Sequence, residues 1–585
     1  MIQADSTKAP PFEDSRRLFG PSPFFAGSGA SLETSGVTIG ESEVAAWREG
    51  VETARRWLRW PEGQTLARLH ASGASLSLQA PMDQLLTATE VNEWALCRAL
   101  QIHALHAPGH PPSWNDGDAR IVLAKLAQLE AQPSLVALLD AAARHKLPAL
   151  LGENLLTLGS GSGAQHFPLD ALPAPGDVHW ISLRAIPAAL VTGSNGKTTT
   201  VRLIAAMLRA AHRRTGYSCT DGVFVETEPL ESGDYSGPLG ARTVLRLPDI
   251  DAAVLETARG GILRRGLALS RAAVAVVTNI SADHFGEYGV HAIADLVDVK
   301  LTVARALDAK GTLVLNADDE NLRAAVESPA FDCAAQRAWF ALDYDAPPLV
   351  QARNNRQTTC GIRAGRLRLS QASGQEHDLG EAALIPISLR GRARYNLANA
   401  AAAALAALAL NVLPRTIATV LADFGRDNAD NRGRLEHWNI GGVDVWLDYA
   451  HNPDGMRVLL DAVAVGRRGR LGLLLGQAGN RLDADIRDLA LAAAHYAPAR
   501  IVLKDIAGYE RGRQSGEVAS VMRDALVEHG VPESALSFVA EETQAVRTLL
   551  DWSQPGDVLV LPVHGYAAKR ETVAMLDALE KSAAG

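Results

Sequence analysis

The chain has 585 residues, 47% hydrophobic and 21% charged, and 57 Lys and Arg stand against 66 Asp and Glu for a net charge of −9. Such a length suggests about three to four domains with substantial cores, so disorder throughout is excluded. No broad basic field exists to bind nucleic acid or acidic membrane, and an anionic ligand needs a local site.

The first 25 or so residues are rich in Pro, Gly, Ser and charge, which predicts a mobile arm or a surface-hugging entry segment without chemistry. Met1-Ile2-Gln3-Ala4-Asp5 has neither the basic flank nor the apolar core of a secretory signal, and the expected compartment is the cytoplasm. From Glu41 to Leu151 apolar positions fall mostly at helical spacing, as in Val44-Ala45-Ala46-Trp47 with Val51 and Ile121-Val122-Leu123 with Leu126 and Leu129. A mainly helical or α+β N-terminal domain over residues 1–177 is expected. The stretch from Leu158 to Gly163, then Pro173-Ala174-Pro175-Gly176, marks its end.

Beyond Val178 the texture changes to short apolar runs that end in Gly, Thr or Asp before helix-length segments, the alternation of a parallel α/β sheet. Examples are Ala188 to Thr192, Ala252 to Glu256, Ala273 to Thr278 and Thr312 to Asn316. A second series begins near Arg434, with Val443 to Leu447, Gly472 to Gly476, Arg500 to Leu503 and Asp557 to Leu561. The charged, Asn-rich segment Arg426 to Arg432 between them reads as a hinge, giving a central domain over 178–430 and a C-terminal domain over 431–585. The longest apolar run, Ala400 to Leu410, is about half of the roughly 20 residues that cross a bilayer, so no transmembrane helix is expected. Cys97, Cys219, Cys333 and Cys360 are far apart and read as idle or buried thiols, not a zinc site or disulfide scaffold.

The strand ending at Thr192 runs into Gly193-Ser194-Asn195-Gly196-Lys197-Thr198-Thr199-Thr200, and a helix pattern from Val201 to Leu208 follows. Glycines let backbone N–H groups turn toward a polyphosphate, the helix start adds favourable field, Lys197 meets the outer phosphate oxygens and the Thr198 hydroxyl can hold magnesium. The longer pattern G-x-x-x-x-G-K-[ST] would require Gly where Val191 stands, so this is the shorter G-x-x-G-K-T form. Glu256 follows one predicted strand and Asp283 with His284 another, at the sheet edge where open α/β proteins hold ligands. A carboxylate and an imidazole near Thr198 predict a metal site. Lys300 lies in an apolar helix where a bare ammonium is costly, although a solvated helix face is the ordinary explanation. Arg259, Arg264 and Arg265 around Gly260-Gly261 either hold a substrate carboxylate or are surface charge.

With these motifs assembled, the chain resembles the Mur ligase superfamily of ATP-dependent amide-bond formers over about residues 185–585. The resemblance rests on Thr192 to Thr200, Thr278 to His284, Asn316-Ala317-Asp318-Asp319, and Gly433-Arg434-Leu435-Glu436 leading to Asp448-Tyr449-Ala450-His451-Asn452-Pro453-Asp454. Within the superfamily it is most similar to the Mur-type domain of cyanophycin synthetases, which attaches arginine to an aspartate side chain. That likeness is carried by Thr220-Asp221-Gly222, Gly233 to Pro238, Glu256 to Arg264 and Arg511-Gly512-Arg513. Arg16 to Pro21 and Leu156 to Gly161 resemble the N-domain of the same enzymes, yet only about twenty residues separate that region from the Mur-like part, too few for the ATP-grasp domain expected there.

The resemblance implies a P-loop parallel-sheet central domain followed by a Rossmann-like C-terminal α/β domain. It also implies that Gly193, Ser194, Asn195, Gly196, Lys197, Thr198 and Thr199 hold ATP, joined by Asn396, Arg434, Asp448 and His451. Thr198, Glu256, His284 and a carbamylated Lys300 would hold magnesium in a two-metal site, with Lys197, Lys300, Glu256 and His284 catalytic. Ser236, Arg259 and Arg264 would contact substrate. The expected reaction transfers the γ-phosphoryl of ATP to a carboxylate, and the acyl phosphate is then attacked by an amine. The expected partners are a small-molecule or peptide carboxylate and an amino acid, arginine first, with a homo-oligomer and a separate ATP-grasp enzyme as further partners. The competing readings are a ligation-inactive nucleotide-binding subunit of a polymer-forming synthetase and a P-loop NTPase or kinase.

Overall fold

The computed structural model describes residues 10–101, 115–282 and 285–584. The N-terminal region is α+β. Strands β1 (Phe12–Leu18), β2 (Gly29–Thr34), β3 (Thr65–His70) and β4 (Gly73–Gln79), with helix α1 (Glu41–Leu58) between β2 and β3, give an antiparallel sheet of order β1-β2-β4-β3. Helices α1 and α2 (Leu85–Ala99) bury Trp47, Val51 and Trp94 against Leu32, Leu76 and Leu78 of this sheet. Helices α3 (Asp116–Glu130) and α4 (Pro133–Arg144) follow, then a small sheet of β5 (Ala149–Leu151), β6 (Leu155–Leu158) and β7 (Gln165–Pro168). The expected mobile or surface-hugging entry segment is corrected here for residues 12–18. They form an edge strand because Arg16 points inward onto Glu33 at 2.6 Å, and Leu18 is fully buried.

The central sheet has eleven strands. In chain order its elements are β8 (Ala188–Thr192), α5 (Lys197–Ala210), β9 (Thr215–Cys219), β10 (Gly222–Val225), β11 (Glu228–Ser232), α6 (Pro238–Leu245), β12 (Ala252–Glu256), α7 (Arg259–Arg265) and β13 (Ala272–Val277). There follow α8 (Ile293–Leu301), β14 (Leu307–Asn316), α9 (Glu320–Glu327), β15 (Gln336–Asp343), α10 (Pro347–Asn354), β16 (Thr358–Arg363), β17 (Arg366–Ser370), β18 (Glu376–Glu381), α11 (Arg394–Ala409) and α12 (Pro414–Asp423). The order is β11-β10-β9-β12-β8-β13-β14-β15-β16-β17-β18, with the run from β9 to β16 parallel and both flanks antiparallel.

The strands alternate their side chains between two cores, as period-two geometry requires. Ala189, Val191 and Val254 face one, with α5 and α11, while Ala188, Leu190 and Leu255 face the other, with α6, α7 and α8. The alanines of α11 from Ala400 to Ala407 are all buried, and such small side chains let its axis come close to α5 and the sheet.

The C-terminal unit comprises β19 (Glu436–Ile440), β20 (Val443–Asp448), α13 (Pro453–Val463), β21 (Leu471–Leu475), α14 (Asp483–Ala494), β22 (Arg500–Leu503), α15 (Glu517–Glu528), β23 (Leu536–Phe538), α16 (Glu542–Trp552), β24 (Val558–Pro562) and α17 (Tyr566–Ala584). Its sheet order is β19-β20-β24-β21-β22-β23, parallel except for β19. Among the described residues no single helix is long and apolar enough to cross a membrane.

Candidate functional site

The sheet order places the carboxyl ends of β12, β8 and β13 side by side, so the glycine loop after β8 lies between Glu256 and Thr278. The loop is built by hydrogen bonds from the β13 side. Thr278 Oγ1 donates to the Asn195 carbonyl at 2.6 Å, Asn279 Nδ2 donates to the same oxygen at 3.0 Å, and the Asn195 N–H donates to Asn279 Oδ1 at 2.9 Å. Two glycines are required. A Cβ on Gly193 (φ +148°) would lie 1.8 Å from Thr278 Oγ1, and one on Gly196 (φ +83°) would lie 2.2 Å from Asn399 Oδ1. Lys197 opens α5, and its ammonium donates to the carbonyls of Gly193 (3.0 Å) and Ser194 (2.9 Å).

On the β12 side Glu256 is buried, and its carboxylate is shared by three donors. Thr198 Oγ1 donates to Oε2 at 2.8 Å, Thr220 Oγ1 to Oε1 at 2.9 Å, and the Thr220 N–H to Oε2 at 3.3 Å. From the C-terminal unit Arg434 reaches Thr198 Oγ1 at 3.3 Å, while Asn452 Nδ2 donates to Asn195 Oδ1 at 3.0 Å. Asp448 is half-buried and accepts from the Leu435 N–H at 2.8 Å. Burial pushes its carboxyl above the ordinary carboxylate value, against the pull of Arg434.

One cleft between the units is thus lined by Ser194, Asn195, Gly196, Lys197, Thr198, Thr199, Glu256, Asn396, Arg434, Asp448 and His451, with Gly193 just behind. Asn396 is held within the central unit, donating to the Ile387 carbonyl at 2.9 Å and accepting from Asn399 at 3.1 Å. Lys300, Ser236, Arg259 and Arg264 do not line this cleft. Lys300 is buried in α8, and Ser236 Oγ donates to Asp234 Oδ1 at 2.6 Å. Arg259 is buried in an ion pair with Glu287, and Arg264 is exposed near the far end of α7. His284 and Asp283 lie outside the described residues.

Sequence reading missed several residues. Asp221, directly after the Thr220 that clasps Glu256, is buried among Arg202 at 2.8 Å, Arg434 at 3.7 Å and Lys569 of α17. Burial works to raise its pKa, yet Arg434, Arg202 and Lys569 together hold it far below the ordinary carboxylate range. Asn399 and Tyr395 also line the cleft, and the buried Tyr395 hydroxyl has no hydrogen-bond partner. Asp221 carried one usable signal, its place just past a strand end beside Glu256; Lys569 carried none.

The residues fit a nucleotide with magnesium. Thr278 and Asn399 pack where side chains on Gly193 and Gly196 would stand, which keeps the loop glycine-lined, and Tyr395 offers an orphaned hydroxyl. The Thr198 hydroxyl and Glu256 carboxylate are paired hard oxygen donors of the kind magnesium takes alongside phosphate and water. Among the described residues no three of His, Cys, Asp and Glu are grouped to hold a metal unaided.

A glycine loop at the carboxyl edge of a parallel sheet, closed over by a second α/β unit, defines a P-loop protein with an interdomain site. Residues 191–407 match the Mur ligase middle domain and residues 433–562 the Mur ligase, glutamate ligase domain. Over these residues the chain belongs to the Mur ligase family. The cyanophycin synthetase of Synechocystis sp. is 35% identical over 378 residues, 64% of this chain and 42% of that protein. A UDP-N-acetylmuramoyl-L-alanyl-D-glutamate--2,6-diaminopimelate ligase of Xanthomonas campestris pv. campestris is 27% identical over 436 residues, 71% of this chain and 82% of that protein. The chain spans about two fifths of the length of the cyanophycin synthetases it matches. Among solved structures, E. coli FolC in complex with ADP aligns with a TM-score of 0.48 at 18% identity, covering 67% of this chain and 89% of that one.

Proposed function

We propose that the chain is an ATP-dependent carboxylate–amine ligase that activates a carboxylate as an acyl phosphate and passes it to an amino acid. The observation that carries this reading is the meeting of Thr198, Glu256 and Arg434 at one point, with loop, sheet and C-terminal unit each contributing one group. A free carboxylate is a poor electrophile. Lys197, with two N–H groups on its own loop, has a third to direct at a phosphate oxygen. Arg434 adds charge where negative charge spreads during phosphoryl transfer. The C-terminal unit, tied to the loop through Asn452, keeps water from the activated acyl group. When bound, magnesium would offset charge between phosphate oxygens, with Thr198 and Glu256 among the groups that hold it. His284 and a carbamylated Lys300 complete the proposed two-metal set by family position.

In this reading residues 1–177 recognise the carboxylate acceptor, residues 178–430 bind ATP, and residues 431–585 close over it. The acceptor is an acidic amino acid or peptide and the amine is an amino acid such as arginine. A separate ATP-grasp enzyme supplies the acceptor, the protein acts as a homo-oligomer, and the compartment is the cytoplasm. The test is a phosphate-release screen of purified protein with ATP, magnesium and pairs of amino acids or acidic peptides, followed by mass spectrometry. Release that depends on both an acid and an amine, with a condensed product, supports the reading. Release that needs neither, or a stable phosphorylated product, makes the chain an NTPase or kinase. No release with any pair favours the ligation-inactive subunit.

A further inference from the structure

Away from the ATP cleft the central unit has a second cavity, of about 500 Å³. Gln336 and Thr358, which open β15 and β16, line it together with Thr312 of β14 and the end of α11. Parallel register sets the sheet side. Thr312 is the partner of Gln336, and Ala338 is the partner of Thr358. Residues two apart on a strand share a face, so Thr312, Gln336 and Thr358 present the face of Val314, Ala338 and Cys360, which pack in the core with α11. The apolar core thus gives way to a row of hydroxyl, amide and hydroxyl across three neighbouring strands. The wall contributed by α11 is apolar, with Leu405 fully buried and Leu408 and Ala409 half-buried.

Two cations complete the lining, the half-buried Arg337 and the exposed Arg356, and among the described residues no acidic side chain joins them. Arg337 lies over the Phe331 ring, 5.7 Å from its centroid. The turn that carries Arg356 is fixed, because the Arg356 N–H donates to the Arg353 carbonyl and the Gln357 N–H to the Ala352 carbonyl, both at 2.9 Å. Gln357 Oε1 also accepts from Trp339 Nε1 at 2.9 Å. Among the described residues the side chains of Thr312, Gln336, Arg337, Arg356 and Thr358 make no hydrogen bond and no ion pair. Five polar groups on one cavity are therefore uncommitted.

We propose that this cavity binds a small organic anion with an apolar body, its head on Arg356 and its body against Leu405 and Leu408. Ligand cavities of this size combine apolar walls with a few convergent polar groups. A guanidinium takes an oxyanion head bidentately, and Arg337 adds a second positive charge that disfavours any cation. The two facing walls select the rest of the molecule. A purely apolar ligand would leave the hydroxyl–amide–hydroxyl row unpaired, and a purely polar one would set its own polar groups against leucine. The site is separate from the ATP cleft. Asn399, near the start of α11, faces Gly196 of the glycine loop, and Leu408 lies nine residues on, about 14 Å along the helix. The proposal stands whether or not the chain is a ligase.

The test is calorimetric titration of the full chain with phenyl phosphate at about 0.15 M salt, beside inorganic phosphate as the head alone and benzyl alcohol as the body alone. Each half should bind at least about tenfold more weakly than the whole probe. R356Q, at an exposed position, should weaken phenyl phosphate roughly tenfold. R48Q, which removes an exposed arginine on α1, should leave it unchanged. L408E sets a carboxylate in the cavity and should abolish binding there. Hydrogen exchange on the unaltered protein, which needs no variant to fold, should show residues 356–358 and 405–411 protected by the probe. Inorganic phosphate binding as tightly as phenyl phosphate, equal weakening by R356Q and R48Q, or no binding at millimolar concentration would each overturn the proposal. Protection confined to residues 193–200 would overturn it too, since the probe would then sit on the glycine loop alone.

Discussion

Lys569 of α17 forms a buried ion pair with Asp221, 348 residues earlier in the chain, and this contact joins the last helix to the turn that clasps Glu256. Asp221 also holds Arg202 of the loop helix, so a single carboxylate links both units to the proposed ATP site. Removing the carboxylate strands three cations, whereas removing Lys569 leaves Asp221 paired. Asp221→Asn should therefore cost more than Lys569→Met, about 3 to 5 kcal/mol for the first because breaking a buried pair from one side leaves uncompensated charge. Urea unfolding of both variants, followed through the C-terminal unit, checks the order. The reverse order would mean that the pair does not carry the contact.

Lys197 is the next case. Its side chain touches only its own loop, so Lys197→Ala should leave the fold intact while turnover falls by roughly a hundredfold or more, since its charge matters most as phosphoryl charge develops. Steady-state kinetics beside a thermal melt separates the two effects. Ligation close to the parent rate would remove Lys197 from the mechanism.

The strand, loop and helix around Lys197 were legible because hydrophobic period changes from 2 to 3.6 across glycines at fixed spacing. Glu256 was legible because a carboxylate ends an otherwise apolar strand. Lys569 carries neither signal and Asp221 only its place just past a strand end, because the meaning of both lies in a contact between distant segments. Arg16 misled in a different way. In Glu13-Asp14-Ser15-Arg16-Arg17 charge reads as an unstructured arm, yet Arg16 turns inward to Glu33 and the segment is an edge strand. Asn399 is hidden by composition, the second of two amides in an alanine-rich helix, and only packing reveals that it faces Gly196.

Lys300 gives a prediction that rests on the proposed metal set. A carbamylated side chain supplies an anion where lysine supplies a cation, so Lys300→Ala should lose most activity and regain part of it with added short-chain carboxylates. Rescue by formate or acetate, and none by chloride at equal ionic strength, is the expected outcome. Failure of rescue with the fold retained would count against carbamylation.

Beneath the loop that carries Tyr449 and His451, Lys504 is fully buried and donates to Glu542 and, at 3.0 Å, to His564 Nδ1, while His564 Nε2 donates to the Ala450 carbonyl at 3.1 Å. Accepting at Nδ1 and donating at Nε2 defines a neutral imidazole. Burial first, and then the charge of Lys504, hold its pKa well below the ordinary value. In the unfolded chain the imidazole titrates near pH 6.5. Between that pH and the lower folded pKa the unfolded state binds more protons, so stability must fall as pH drops through the window. One such group gives a slope of at most about 1.4 kcal/mol per pH unit. His564→Gln removes the titration, so from pH 7 to pH 5 the parent should lose more stability than the variant in denaturant unfolding, with the other histidines cancelling between the two. Parallel pH profiles would show that His564 is not held neutral, and Ala450 would then lack the fixed donor that sets the loop beside His451.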